Sequence, residues 1–99
     1  MEELSTLLNK DFNHLSAKDF SFLVCSHLNN GILIKEFPVP DRGDGRSGRV
    51  DLIYKKRNKT IAFEFDRLIP RKKSIFKLKS LTVDEKYVIT RSPFAIHSI

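Results

Sequence analysis

Two β-type runs, separated by four polar residues, constrain the fold of this chain most. The runs cover residues 49–55 and 60–66, and Lys56-Arg57-Asn58-Lys59 lies between them. A tight two-residue turn and a four-residue loop there give the same strand pairing. On one face this pairing opposes large apolar residues throughout, namely Val50 and Phe65, Leu52 and Phe63, and Tyr54 and Ile61. The alternation therefore predicts a hairpin with a fixed register and one core face.

The opposite face of the same hairpin brings carboxylates together. Asp51 is predicted to lie opposite Glu64, and Asp66 follows Glu64 on that face about 7 Å along the strand. Directly opposed like charges destabilise a sheet, so the arrangement calls for a counter-charge. One interpretation is a site for a hard divalent cation such as Mg²⁺, which prefers oxygen ligands. The other is that these acids form structural salt bridges with Arg49, Arg67 or Lys72.

The positive charge is concentrated in one part of the chain. The net charge is +6, and residues 42–79 contain thirteen Lys or Arg against four acids. Such a local excess favours a polyanionic partner, with nucleic acid ahead of a membrane surface because no strongly amphipathic basic helix is present. The alternative is a solvated basic face without a ligand.

Three helices are predicted from apolar spacing. The first covers residues 2–13, and the second begins at Ser16, with Asp19 completing a capping-box-like start. The third begins with Pro70 in its first turn. In this third helix Ile75, Leu78 and Leu81 share an apolar arc, and Lys72, Lys73 and Lys77 lie away from that arc.

The remaining β-type runs complete a predicted α-α-β-β-β-α-β order. A strand over residues 32–37 ends at Pro38, and residues 87–90 form the last strand. Residues 41–48 hold three of the four glycines and are predicted to form a loop. We therefore expect a single α/β domain over residues 1–99.

Several classes of protein are disfavoured by composition. No apolar run approaches the roughly 20 residues of a membrane span, so no membrane association is expected. The start of the chain lacks the features of a signal peptide. Cys25 is the single cysteine, which excludes an intramolecular disulfide and a cysteine-based zinc cluster. An intracellular, cytoplasmic location and no small-molecule cofactor are the resulting expectations.

The hairpin residues resemble a known family. Arg49-Val50-Asp51-Leu52-Ile53 and Ile61-Ala62-Phe63-Glu64-Phe65-Asp66 are similar to the core of the PD-(D/E)XK, or restriction-endonuclease-like, nuclease superfamily. The α-β-β-β-α-β unit of that family corresponds to residues 16–90, with a mixed sheet flanked by helices. The resemblance implies Mg²⁺ or Mn²⁺ held by Asp51, Glu64 and the main-chain carbonyl of Phe65. In length, basic surface and the glycine-rich loop before the Asp51 strand, the chain is similar to small Holliday junction resolvases and to VRR-type nucleases.

The chain departs from the family pattern at two positions. Val50 occupies the position of the proline that gives the family its name, and replacement of this proline is common in the family. Asp66 occupies the position of the lysine that is thought to orient the attacking water and stabilise charge on the phosphate. Three explanations stay open: a cation is supplied from elsewhere, Asp66 binds further metal, or catalysis has been lost. Lys72 and Lys73 are the first candidates for that cation and Lys35 the next, and the further acids considered for the metal site are Asp19, Glu36, Glu2 and Glu3.

The resemblance therefore implies a Mg²⁺-dependent DNA endonuclease, with a homodimer as the expected assembly. The catalytic residues would be Asp51, Glu64, Asp66, Lys72 and Lys73. A duplex or branched DNA substrate would be bound by Arg42, Arg46, Arg49, Arg71, Lys72, Lys73 and Lys77. Two alternatives remain: a catalytically inactive nuclease fold that binds DNA or a protein as an accessory factor, and a basic RNA-binding or ribosome-associated protein.

Overall fold

The computed structural model describes residues 1–41 and 45–99. Within these residues, a 3₁₀ helix at Glu2–Leu7 precedes helices α1 (Ala17–Ser26) and α2 (Lys72–Lys79). The strands are β1 (Ile32–Val39), β2 (Gly48–Lys56), β3 (Lys59–Asp66), β4 (Glu85–Arg91) and β5 (Phe94–Ser98).

The described strands form one mixed sheet in the order β1-β2-β3-β4-β5. Strands β3 and β4 are parallel and are connected through α2, whereas the other neighbouring pairs are antiparallel. Because a parallel pair needs a crossover, the third predicted helix has to lie on one face of this sheet. The predicted α/β class and the predicted order from α1 to β4 are confirmed.

The predicted register of the central hairpin is confirmed. Leu52 pairs with Phe63 and Tyr54 with Ile61, and these four side chains belong to a core with the 3₁₀ helix and α1. The other face is also buried, because Ile53 and Ala62 pack with residues from β4 and α2 in a second core. The central strands β2 and β3 are therefore covered on both faces of the sheet.

Val50 was predicted on the wrong face. It packs in the second core, with Phe37, its partner on β1, against the same core. Between Lys35 and Phe37, Glu36 has a φ of 54°. A left-handed residue interrupts the extended backbone of β1, although the pairing continues from Lys35 opposite Leu52 to Phe37 opposite Val50. The regular pairing of β2 with β3 ends at Leu52 and Phe63, so the alternation that predicted the face of Val50 does not extend to it.

The N-terminal segment is shorter than predicted as a helix. The 3₁₀ helix ends at Leu7, and Asn9 takes a φ of 68°. The following residues bind the last hairpin instead, since Asn9 N–H donates to the Phe94 carbonyl (3.0 Å) and Phe12 N–H to the Arg91 carbonyl (2.8 Å). This pairing depends on β5, a strand that we did not predict.

The other element boundaries differ by a few residues. Helix α1 begins as predicted, with Asp19 N–H donating to Ser16 Oγ at 3.1 Å. Strand β1 continues through Pro38, which is tolerated because β1 is an edge strand. In the described part of the chain, neither helix has the length and apolarity needed to cross a membrane.

Candidate active site

The Asp51 and Glu64 carboxylates connect β2 and β3 where the paired register of these strands ends. Asp51 N–H donates to Glu64 Oε2 at 2.7 Å, and Phe65 N–H donates to Asp51 Oδ2 at 2.8 Å. Each carboxylate therefore accepts a backbone N–H of the opposite strand. The two acids predicted to face each other are brought together, and the main chain fixes both.

Lys77 provides the counter-charge of this carboxylate pair. Its Nζ lies 2.6 Å from Glu64 Oε1 and donates to the Arg49 carbonyl at 2.9 Å. The Glu64 side chain is completely buried and that of Lys77 is 10% exposed. The salt-bridge interpretation is therefore confirmed for Glu64, although Lys77 was not among the proposed partners.

The prediction that Lys77 lies away from the sheet, as a surface cation for DNA, is wrong. Ser74, Lys77 and Leu78 are the buried residues of α2. Positions separated by three and four residues share one face of a helix, and Leu81 continues that series. This spacing is present in the sequence, but the prediction took the arc of Ile75, Leu78 and Leu81 as the buried face, and Lys77 lies outside that arc.

The pKa values of both carboxyl groups are shifted upward. Burial, followed by the neighbouring charge of Asp51, raises the pKa of Glu64 to about 7, against the opposing effect of Lys77. Burial also raises the pKa of Asp51, in spite of its bond from Phe65 N–H. Both shifts disfavour the charged forms, so one lysine does not fully compensate two buried carboxylates.

Asp66 has a structural role at the start of α2. Its Oδ1 accepts from Arg71 Nε (2.6 Å) and Ser74 Oγ (3.1 Å), and its Oδ2 accepts from Arg71 N–H (2.9 Å). Both oxygens are thus bound within the protein. The salt-bridge interpretation is confirmed for this acid, with Arg71 as the partner, and the assignment of Asp66 to a metal is not supported.

Asp51 lines a cleft between α1 and the sheet. The cleft has a volume of about 610 Å³. Three residues that we had considered for the site, Asp19, Lys35 and Glu36, line it together with Asp51. Glu64 and Lys77 do not line the cleft and lie behind Asp51 in the protein interior.

The other acids considered lie away from this cleft. Glu2 and Glu3 border a separate depression next to the β2–β3 turn. Glu3 accepts from Tyr54 Oη and from Lys56 Nζ, both at 2.8 Å. Burial alone would raise the pKa of Glu3, but the hydrogen bonds from Lys56 and Tyr54 lower it. Glu3 is therefore a structural anchor of the N-terminus.

Most of the predicted DNA-binding cations are on the surface. Arg46, Arg49, Lys72 and Lys73 are exposed, and the Arg71 side chain is 55% exposed although it binds Asp66. Arg71 also lines the cleft that contains Asp51. Arg42 lies outside the described residues. Neither Lys72 nor Lys73 takes part in the ion pair that Lys77 forms with Glu64.

The carboxylate pair suits a hard cation in its donor chemistry. Among residues 1–41 and 45–99 no group of three or more His, Cys, Asp or Glu side chains is placed to hold a metal, so the set is limited to two carboxylates. Glu64 Oε1 is buried and lies 2.6 Å from Lys77 Nζ, so the lysine already faces this oxygen. Carboxylate oxygens are ligands that Mg²⁺ prefers, and water or phosphate commonly completes its shell.

The geometry of the site is the basis for a functional assignment. No family model matches the chain, and comparisons with curated proteins and with solved structures gave no significant match.

Proposed function

We propose that the protein is a Mg²⁺-dependent DNA endonuclease in which Asp51 and Glu64 hold the metal and Lys77 supplies the counter-charge of the buried Glu64. The observation that carries this proposal is the contact of 2.6 Å between Lys77 Nζ and Glu64 Oε1. In the family pattern a lysine follows the second acid on the same strand, where this chain has Asp66. In this chain the lysine that contacts the second acid, Glu64, is Lys77 from α2.

Each residue of this trio has a distinct part. Asp51 borders the cleft and is the member of the trio that an incoming phosphate would meet. Glu64 is held by the Asp51 N–H, and the charge of Lys77 lowers the pKa of Glu64 against the larger, opposing effect of burial. When bound, the metal would lower the pKa of a water and polarise the phosphate. The main-chain carbonyl of Phe65 stays a candidate ligand by resemblance.

The surface cations supply affinity for the DNA backbone. Arg71 lies on the cleft, and Lys72 and Lys73 follow it at the start of α2. Contacts of this kind attract phosphate without reading sequence and weaken as salt concentration rises. They support duplex or branched DNA as the partner. A homodimer and a cytoplasmic location remain part of the proposal as expected from the sequence.

A second candidate function is favoured by the burial of Glu64. Its side chain is completely buried and already paired with Lys77. If Glu64 stays paired with Lys77 and does not bind a metal, the domain binds DNA as an accessory factor without cutting it. This alternative predicts DNA binding that does not depend on divalent cations or on Asp51. The RNA-binding alternative has no such structural support.

The test is cleavage of supercoiled plasmid and of a synthetic four-way junction, with Mg²⁺, Mn²⁺ or EDTA. We expect nicking that requires the metal and is lost in Asp51→Asn, a variant that keeps the shape of the side chain. Glu85→Gln, which changes an acid remote from the cleft, serves as the control and should cut normally. DNA binding without cutting by all three proteins would overturn the endonuclease and favour the accessory factor.

A further inference from the structure

An exposed apolar tip stands among cations directly after β3. Residues 67–73, here called the 67–73 segment, read Arg67-Leu68-Ile69-Pro70-Arg71-Lys72-Lys73. Leu68 is 57% exposed and Ile69 is 70% exposed. Neither side chain belongs to, or packs against, either of the cores of the described chain. Two adjacent large aliphatic side chains form an apolar patch whose contact with another surface would be favourable.

Both ends of the 67–73 segment are held by hydrogen bonds. At one end, Arg67 Nε donates to Asn13 Oδ1 at 2.8 Å, and the Arg67 carbonyl accepts from the N–H groups of Arg91 and Ser92. At the other end, Asp66 binds Arg71 through both the side chain and the main chain. The exposed tip is thus presented from a fixed base.

Charge favours one kind of covering surface. The apolar tip is flanked by Arg67, Arg71, Lys72 and Lys73, with no acid inside the segment. A second copy of the same segment would bring eight cations together, so a symmetric contact through this tip is disfavoured. This pattern fits a partner that is anionic on the outside and apolar inside. A DNA duplex with its stacked bases and an anionic membrane are two such partners.

The position of the segment distinguishes DNA from a membrane. Arg71 lines the cleft that contains Asp51, and together with Arg67 it borders a smaller neighbouring depression. A strand of phosphates that passes the Asp51 carboxylate therefore passes the base of the tip. Apolar side chains such as Leu, Ile and Pro are known to enter between base steps when a protein bends DNA.

We propose that Leu68 and Ile69 form a wedge that enters the base stack of DNA, and that the preferred substrate is a branched or distorted duplex. The proposal rests on the proposed function in that DNA is the ligand of the cleft. Separating stacked bases is costly, so a wedge selects steps that are already weakly stacked, such as a branch point. The flanking cations hold the neighbouring phosphates, and the tip confers the preference for structure.

The experiment measures binding and base unstacking without cleavage, in Ca²⁺ or EDTA. The probes are a four-way junction with 2-aminopurine at the branch point and a linear duplex with the same label, because 2-aminopurine fluoresces more strongly when unstacked. The proteins are the full chain, a Leu68→Ser/Ile69→Ser double variant and Ile32→Ser. Ile32 is a matched control, since it is 66% exposed at the start of β1.

The wedge predicts a clear rise in fluorescence when the full chain or Ile32→Ser binds the junction. The double variant should lose that rise, bind the junction about tenfold more weakly, and bind both DNAs with equal affinity. Its dependence on salt concentration should be unchanged, since every cation is retained. Its thermal unfolding should match that of the full chain, which separates the effect from misfolding.

Other outcomes would overturn the wedge in distinguishable ways. If the full chain binds DNA without a rise in fluorescence, the wedge is wrong and DNA as the partner stands. If the full chain binds neither DNA, the proposed function fails as well. If the double variant binds DNA normally but loses binding to vesicles with an anionic lipid, the tip serves a membrane and the wedge is overturned.

Discussion

Lys77, on helix α2, pairs with Glu64, on the central strand β3, with 2.6 Å between Nζ and Oε1. Replacement of one partner of a buried ion pair leaves the other charge uncompensated. Lys77→Met should therefore lower the free energy of unfolding by about 3 kcal/mol at pH 8. The loss should be smaller at pH 5.5, where Glu64 takes up a proton. Urea denaturation at the two pH values measures both effects.

Lys79→Met is the matched control for this ion pair. It removes an exposed cation from the same helix and should change stability by less than about 0.5 kcal/mol. Equal losses in the two variants, or a loss in Lys77→Met that is independent of pH, would contradict the buried pair.

The stability of the protein should fall as the pH rises from about 5 to 8. Burial and the charge of Asp51 raise the pKa of Glu64 from 4.5 to about 7, and burial raises that of Asp51 in the same direction. In this window the folded state binds more protons than the unfolded state, so deprotonation favours unfolding. Glu64→Gln should flatten the decrease in melting temperature across this range.

Glu85→Gln is the control that distinguishes the titration of Glu64 from the titration of other carboxyl groups. The hydrogen bond from Lys59 is the largest influence that lowers the pKa of Glu85. The stabilisation from a lowered pKa is complete above the unfolded value of 4.5 and is lost only as the pH falls below it. The slope between pH 5 and 8 should therefore persist in Glu85→Gln, and its disappearance there would refute the assignment to Glu64.

Asp66 should matter for stability and not for metal binding. Asp66→Ala leaves Arg71 N–H and Ser74 Oγ without their acceptor and should cost about 2 kcal/mol. Mg²⁺ at ten times its dissociation constant should still stabilise this variant by about 1.4 kcal/mol, the same stabilisation that we expect for the unaltered chain. Calorimetry with and without Mg²⁺ measures both quantities. Asp51→Asn, in contrast, should lose the stabilisation by Mg²⁺, and a metal response that disappears in Asp66→Ala would restore Asp66 as a ligand.

Tyr54 anchors the N-terminus through a buried hydroxyl group. Its Oη donates to Glu3 at 2.8 Å and accepts from Asn30 N–H at 2.9 Å. Tyr54→Phe removes both hydrogen bonds and leaves their partners unsatisfied. We therefore expect the free energy of unfolding to fall by roughly 1–2 kcal/mol. Tyr87→Phe removes a hydroxyl bound to the more exposed Glu85 and should cost less. If the two variants have the same denaturation midpoint, Tyr54 does not anchor the N-terminus in this way.

The sequence was most informative where two signals coincided. In the central hairpin, apolar alternation and the intervening turn both favour the pairing of Leu52 with Phe63, and the structure has this pairing. The acids Asp51 and Glu64 follow from that register and lie in contact as expected. Local periodicity is reliable here because a one-residue shift would move every side chain of the hairpin to the opposite face, out of the core that it fits.

Features that depend on distant parts of the chain were not predicted. Helix formation after Leu7 is replaced by pairing of Asn9 and Phe12 with the β4–β5 hairpin, which no local pattern indicates. The inward position of Lys77 has the same origin, because its partner Glu64 lies on another element. The separation of Lys77 from Ser74 by three residues and from Leu81 by four was the local sign of this buried position.

The most direct test of the central claim is the rate of Mg²⁺-dependent plasmid nicking by Lys77→Met, Lys77→Arg and the unaltered chain. Lys10→Met, an exposed lysine away from the cleft, is the control. We expect a loss of at least about a hundredfold in Lys77→Met, partial recovery in Lys77→Arg and normal nicking in Lys10→Met, under conditions where all four proteins are folded. Nicking by Lys77→Met at the normal rate would contradict the claim that Lys77 supplies the counter-charge of this site.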